Sequence, residues 1–199
     1  MSHVEKLRDN VHERLDRALQ PVAILLSRLG VLPNHVTIAG AVMNLVTAGL
    51  IVAGLLRWAA VLWLVAGALD LLDGALARSQ DKATAFGAFL DSTFDRISEG
   101  ILFSAIAYHF AVLGQPVDAA LAVLALLGSI LVSYTRARSE ALGVRCKVGV
   151  LTRAERVVLL ALGLWIGVLE EVIYLVVVLT AYTVVQRVLH TFRELGTQN

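Results

Sequence analysis

Six apolar stretches, over residues 36–56, 59–78, 86–112, 117–138, 155–170 and 172–192, are separated by connections that carry most of the charge. Nothing else in the chain constrains its fold as much. Crossing the hydrocarbon core of a bilayer takes about 20 residues of helix, and only a helix or a closed barrel satisfies every backbone polar group there. Each stretch is close to that length, the fifth being short. The chain is 58% hydrophobic and 17% charged, with a mean hydropathy of +0.76, whereas soluble domains carry about a quarter charged residues. The expectation is an all-α polytopic membrane protein. Residues 31–199 would form one unit of six transmembrane helices, and residues 1–30 a juxtamembrane amphipathic helix.

Within those first 30 residues, Val4, Leu7, Val11, Leu15, Ala18 and Leu19 recur at helical spacing, with Lys6, Arg8, Arg14 and Arg17 between them. This pattern predicts a helix lying in the membrane interface, bent or restarted at Pro21. A solvated helix without a membrane role is the alternative. The first 20 residues hold no apolar leader core, so no cleavable signal peptide is expected. Asn34, following Pro33, is a candidate N-cap for the first span. Of the 17 Lys and Arg residues, 15 fall before the first span, in alternate connections or at the C-terminal end, Arg57 alone lies opposite, and Arg96 lies within the third span. That bias predicts an integral membrane protein with both termini in the cytoplasm. The single cysteine, Cys146, excludes an intramolecular disulfide and a thiolate metal cage.

Against this background four carboxylates stand out. Asp70 and Asp73 fall near the cytoplasmic end of the second span, and Asp91 and Asp95 one or two turns into the third. Each pair projects from one helix face. The connection of about eight residues predicts antiparallel neighbouring helices and a convergence of all four side chains. Four anions in a low dielectric repel by several kcal/mol. Divalent cations relieve that repulsion, and an all-carboxylate set suits Mg²⁺ or Mn²⁺ rather than zinc. Two such ions suit in-line displacement at phosphorus. Gly74 and Gly87 leave room for a nucleotide, and Arg78 can offer two hydrogen bonds to a phosphate. Two other uses of these acids are a proton or ion relay in a transporter and structural pairing with Arg78, Lys82 and Arg96. A transporter would be expected to show an internal repeat, and the sequence has none.

The series Asp70-x2-Asp73-Gly74-x2-Ala77-Arg78-x8-Gly87-x3-Asp91-x3-Asp95 resembles the complete signature of the CDP-alcohol phosphotransferases, and the likeness extends over nearly the whole chain. The resemblance implies a membrane transferase of phospholipid biosynthesis that displaces CMP from a CDP-lipid with the hydroxyl of a small polar alcohol. It further implies that Asp70, Asp73, Asp91 and Asp95 ligate two divalent ions and that Asp95 is the general base. Gly74, Ala77, Arg78 and Gly87 would hold the cytidine diphosphate together with Asp73, Pro33 and Thr37. Thr37 has an alternative as a backbone-bonded structural residue. Homodimerisation is also implied, and no nucleic-acid partner is expected.

A second basic set bears on the acceptor. "SYTRARSE", "TRAER" and "TVVQR" resemble the branch of the family that makes phosphatidylinositol phosphate and its archaeal archaetidylinositol counterpart. The resemblance implies that Arg136, Arg156 and Arg187 bind the phosphate of inositol phosphate. Arg136 stands where that branch tends to have Lys, and Ala154 where it tends to have Pro. Positive-inside anchoring is the plain alternative for these arginines, as snorkelling is for Arg187. Glycerol 3-phosphate is the next acceptor in line, then serine or free inositol. Glu99 continues the Asp91–Asp95 stripe and is expected to pair with Arg96 or another nearby base. His35 and His109 are assigned no chemistry. Gly40, Ala41, Gly49, Ala53 and Gly54 are expected to serve helix packing.

Overall fold

The computed structural model describes residues 17–80 and 84–196, without the side chains of residues 77–79. Most of the N-terminal interfacial segment therefore lies outside the described residues. Residues 17–28 are helical (α1), continuous through Pro21. Six helices follow: α2 Pro33–Val52, α3 Leu56–Ser79, α4 Ala85–Val112, α5 Pro116–Ala141, α6 Arg153–Ile166 and α7 Leu169–Gly196. No strand occurs among the described residues. Four of these helices are long and apolar enough to cross a bilayer: α2, α3 over Leu56–Leu76, α5 and α7. Large apolar side chains such as Val42, Leu64, Leu127 and Val178 stay exposed on the outer faces, as lipid contact requires. The chain is a polytopic membrane protein.

Helix starts and stops follow local chemistry. Pro33 and Pro116 each occupy the first helical turn, where the missing N–H is no loss and the fixed φ is already helical. Leu32 takes the N-cap position of α2, so Asn34 falls within the first turn and is not the cap. Residues 53–55 and 113–115 reverse the chain tightly, with Gly54 and Gly114 both at φ 75°. In each turn the next residue reaches back, Leu55 N–H to Leu50 C=O and Gln115 N–H to Phe110 C=O, at 2.9 Å. That is a Schellman closure, which needs the left-handed residue that glycine supplies. With the short α6–α7 connection, these turns define one end of the bundle. The longer connections define the other, open end.

The six long helices close into a ring in the order α3, α2, α4, α5, α7, α6. This corrects the expectation that α3 and α4 pack as a hairpin. Each packs instead against α2, which lies between them in the ring. A short connection fixes their opposed directions but not their adjacency, because α2 fits between them. The apolar core lies toward the turn end: Ile51, Ala60, Trp63, Phe103, Ile106, Leu164 and Ile173 are buried in one cluster. A second cluster forms toward the open end. There Ala23, with Leu19 and Leu26 beside it, seats α1 on Val36 of α2 and on Leu72, Ala75 and Leu76 of α3. The spacing of Leu19, Ala23 and Leu26 is that of one helix face. Leu25 and Leu29 on the same segment stay exposed.

Candidate active site

Polar groups occupy the part of the ring that the apolar core leaves free. On α3, Asp73 is buried and its Oδ2 accepts a hydrogen bond of 2.8 Å from Thr37 Oγ1 on α2. Thr37 also donates to the Pro33 carbonyl at 3.3 Å, so it holds its own helix turn and a carboxylate together. One turn earlier, Asp70 Oδ1 lies 3.0 Å from where a Cβ on Gly40 would stand. Gly40 thus gives Asp70 its place, which no local signal reveals. Gly87 donates its N–H to Thr84 Oγ1 at 3.0 Å, closing the first turn of α4.

From the other side, α4 presents Asp91 and Asp95 one turn apart. The charge of Asp70 acts on Asp73, Asp91 and Asp95, and that of Asp91 on Asp73 and Asp95, so the set is self-repelling. The group joining the two sides is Arg153, at the start of α6. Its Nη2 lies 2.6 Å from Asp70 Oδ2 and 2.9 Å from Asp95 Oδ1. Arg96 stands 3.5 Å from Asp95 while donating to the Ser92 carbonyl at 2.6 Å. Among the described residues no three acidic, imidazole or thiol groups are gathered as they stand to hold a metal ion. The donor chemistry nevertheless fits one. The set is all hard oxygen and self-repelling, and a guanidinium already stands in as the bridging cation.

The sequence-predicted arginines divide. Arg187 is buried on α7, with Nε donating to the Val148 carbonyl at 3.0 Å and Nη1 to the Val132 carbonyl. Arg136 is exposed and pairs with Glu140 at 2.9 Å. Both line a cavity of about 350 Å³ together with Asp95, Arg96, Ser133 and Arg153. Arg156 does not line it. Its guanidinium points inward to Glu99, both residues being buried, so the structure does not bring it to the other two. Glu99 has therefore found its nearby base in Arg156 rather than Arg96. Arg153, which the sequence marked only as part of a basic cluster, joins the cavity in its place; the only available hint was its position one turn ahead of Arg156. The side chains of Ala77 and Arg78 lie outside the described residues.

A carboxylate at the edge of an arginine-lined cavity can accept a proton from a hydroxyl while the guanidiniums hold an anionic group on the same molecule. Relatives carry the same arrangement of helices. The crystal structure of phosphatidylinositol phosphate synthase from Mycobacterium tuberculosis with CDP-DAG bound matches at a TM-score of 0.82 and 32% identity, covering 88% of this chain and 94% of that one. The same protein in complex with manganese and citrate matches at 0.80 and 32% identity, covering 87% and 88%. The archaetidylinositol phosphate synthase of Methanothermobacter thermautotrophicus is 34% identical over 185 residues, 90% of this chain and 91% of that one. Phosphatidylinositol phosphate synthase of Corynebacterium glutamicum is 37% identical over 178 residues, 85% and 81% of the two chains. Residues 30–188 match the family model for CDP-alcohol phosphatidyltransferases. An enzyme, rather than a carrier, is thereby identified: the chain belongs to the CDP-alcohol phosphatidyltransferase family.

Proposed function

We propose that this enzyme transfers the lipid-phosphate group of a CDP-linked lipid, with ester- or ether-linked tails, to inositol phosphate and releases CMP. The cavity beside Asp95 carries the acceptor assignment: Arg136, Arg153 and Arg187, gathered around it with Asp95 and Glu140, suit an alcohol that already bears a phosphate. Serine or free inositol would bring those guanidiniums no phosphate to bind. Glycerol 3-phosphate satisfies them equally and is the second reading.

Asp70, Asp73, Asp91 and Asp95 would hold two divalent cations, Mg²⁺ or Mn²⁺, which when bound supply charge stabilisation at the pyrophosphate. Asp95 takes the proton of the acceptor hydroxyl. That oxygen bonds to the lipid-bearing phosphorus as the bond to the CMP oxygen breaks. Thr37 fixes the Asp73 carboxylate, while Pro33, Gly74, Ala77, Arg78 and Gly87 border the cytidine diphosphate. Arg187, fixed by two backbone carbonyls, is preorganised for the acceptor phosphate, and Arg136 can exchange Glu140 for it. We assign Arg156 to the support of Glu99, one turn behind Asp95, rather than to the acceptor.

In this reading all six helices of residues 31–199 span the membrane as a single catalytic unit. Residues 1–30 lie along the interface, and the open end and both termini face the cytoplasm, as the charge bias supports. A homodimer is proposed on the family resemblance. CMP release from CDP-diacylglycerol and CDP-archaeol in detergent, with inositol 1-phosphate, glycerol 3-phosphate, serine and inositol in parallel, tests the substrates. Inositol phosphate should give the fastest release. EDTA should abolish it, and Mn²⁺ or Mg²⁺ should restore it. Equal rates with serine would sink the phosphate-pocket reading.

A further inference from the structure

Arg153 holds the two halves of the acidic set with one nitrogen. Asp70 belongs to α3 and Asp95 to α4, helices that flank α2 in the ring. The guanidinium bridges the two carboxylates at 2.6 and 2.9 Å. Its hydrogen bonding is incomplete, because Nε is buried without a partner. The same side chain borders two spaces, a cavity of about 10 Å³ enclosed between α2, α3, α4 and α6, and the larger one that holds Arg136 and Arg187. A cation thus sits on two carboxylates, incompletely bonded, with room for its head group alongside.

We propose that Arg153 is a resident counter-cation. It neutralises Asp70 and Asp95 until a divalent ion displaces it, and the displacement delivers its guanidinium to the phosphate of the incoming acceptor. The proposal rests on the reading of the four aspartates as metal ligands. A divalent ion on those oxygens and a guanidinium within 3 Å of both repel as like charges, so the two occupancies exclude each other. An anion in the larger cavity that draws Arg153 away therefore favours metal loading. By thermodynamic reciprocity, metal loading tightens the anion's binding by the same factor. Arg153 is then a positioning residue that orders the assembly of the site, with the metal first and the acceptor phosphate coupled to it.

The test measures Mn²⁺ binding to the full-length protein in detergent from the resonance of free aqueous Mn²⁺, alongside melting temperature. Arg153→Gln should bind Mn²⁺ roughly tenfold tighter than wild type, a change within the usual range of coupled sites. In EDTA it should melt below wild type, and the difference should shrink as Mn²⁺ saturates. Inorganic phosphate, used as the probe anion, should tighten Mn²⁺ binding to wild type by about fivefold or more and leave Arg153→Gln unaffected. Unchanged or weaker Mn²⁺ binding in Arg153→Gln overturns the proposal, as does phosphate coupling that persists there. Should Arg153→Gln not fold, absence of phosphate coupling in wild type alone overturns it. Asp91→Asn separates the two levels of inference. Mn²⁺ binding that survives Asp91→Asn undiminished removes the metal reading itself. Binding lost in Asp91→Asn but insensitive to Arg153→Gln removes only the counter-cation.

Discussion

Asp95 stands between Arg153 and Arg96 and lines the cavity proposed for the acceptor, where its carboxylate would receive the hydroxyl proton. Asp95→Asn keeps the shape and removes the acceptor. CMP release should fall by about 10²–10⁴-fold, the usual contribution of a positioned base, while retention of CDP-lipid, read by equilibrium binding, persists. Gly149 offers a subtler test. Its φ of +132° is a glycine conformation, and an added Cβ would stand 2.8 Å from Thr183 Cγ2 and 3.3 Å from two Arg187 nitrogens. Gly149→Ala should raise the acceptor KM severalfold with a smaller change in kcat, and lower stability by about 1–2 kcal/mol, as steady-state kinetics and melting would read. The four aspartates were legible because helical spacing declares a shared face. Gly149 and Arg153 were not, and Gly40 was readable as a packing residue but not as the neighbour of Asp70. The glycines matter through neighbours more than 25 positions away in sequence, and a base at the end of a span satisfies the positive-inside bias whatever it touches.

Among the helices of the ring, α6 carries the most chemistry in the least length. Its 14 residues rise about 21 Å at 1.5 Å each. It begins with Thr152, whose backbone N–H donates to Glu155 Oε2 at 2.5 Å. Arg153 and Arg156, one turn apart, point to Asp70 and Asp95 in one case and to buried Glu99 in the other. Arg156→Ala would strand the Glu99 carboxylate in the interior and should cost about 3–5 kcal/mol. The double change Glu99→Met with Arg156→Met should recover most of that loss. Melting curves in detergent would compare the two. The helices themselves were readable from their apolar runs, and all six expected stretches fall on helices whose bounds agree to within about four residues at each end. Their partners were not readable. Connection length sets direction but not neighbours, and of the small residues expected to pack, Gly40 lies against α3 whereas Gly49, Ala53 and Gly54 are exposed.

At the scale of the whole molecule, the short glycine turns at one end and the longer connections at the other divide the protein into two halves. The orientation proposed for them has a direct test. Cys146 is buried and is the only cysteine, so a Cys146→Ser background carries single new cysteines cleanly. A membrane-impermeant maleimide added to intact cells should label Gln115→Cys at the turn end, and should label Arg138→Cys only after the membrane is opened. Labelling of Arg138→Cys from outside would invert the topology. The division also bears on how such a chain can change over generations. Residues that secure the fold, from Ile51 and Trp63 to Ile173, cluster toward the turn end, whereas Arg136, Arg153 and Arg187 gather around one cavity apart from them. Substitutions that retune acceptor choice therefore need not loosen the scaffold, and substitutions that harden the scaffold need not alter what is made. Selection can act on the two traits almost separately, so a single bundle can diversify its products while keeping its architecture.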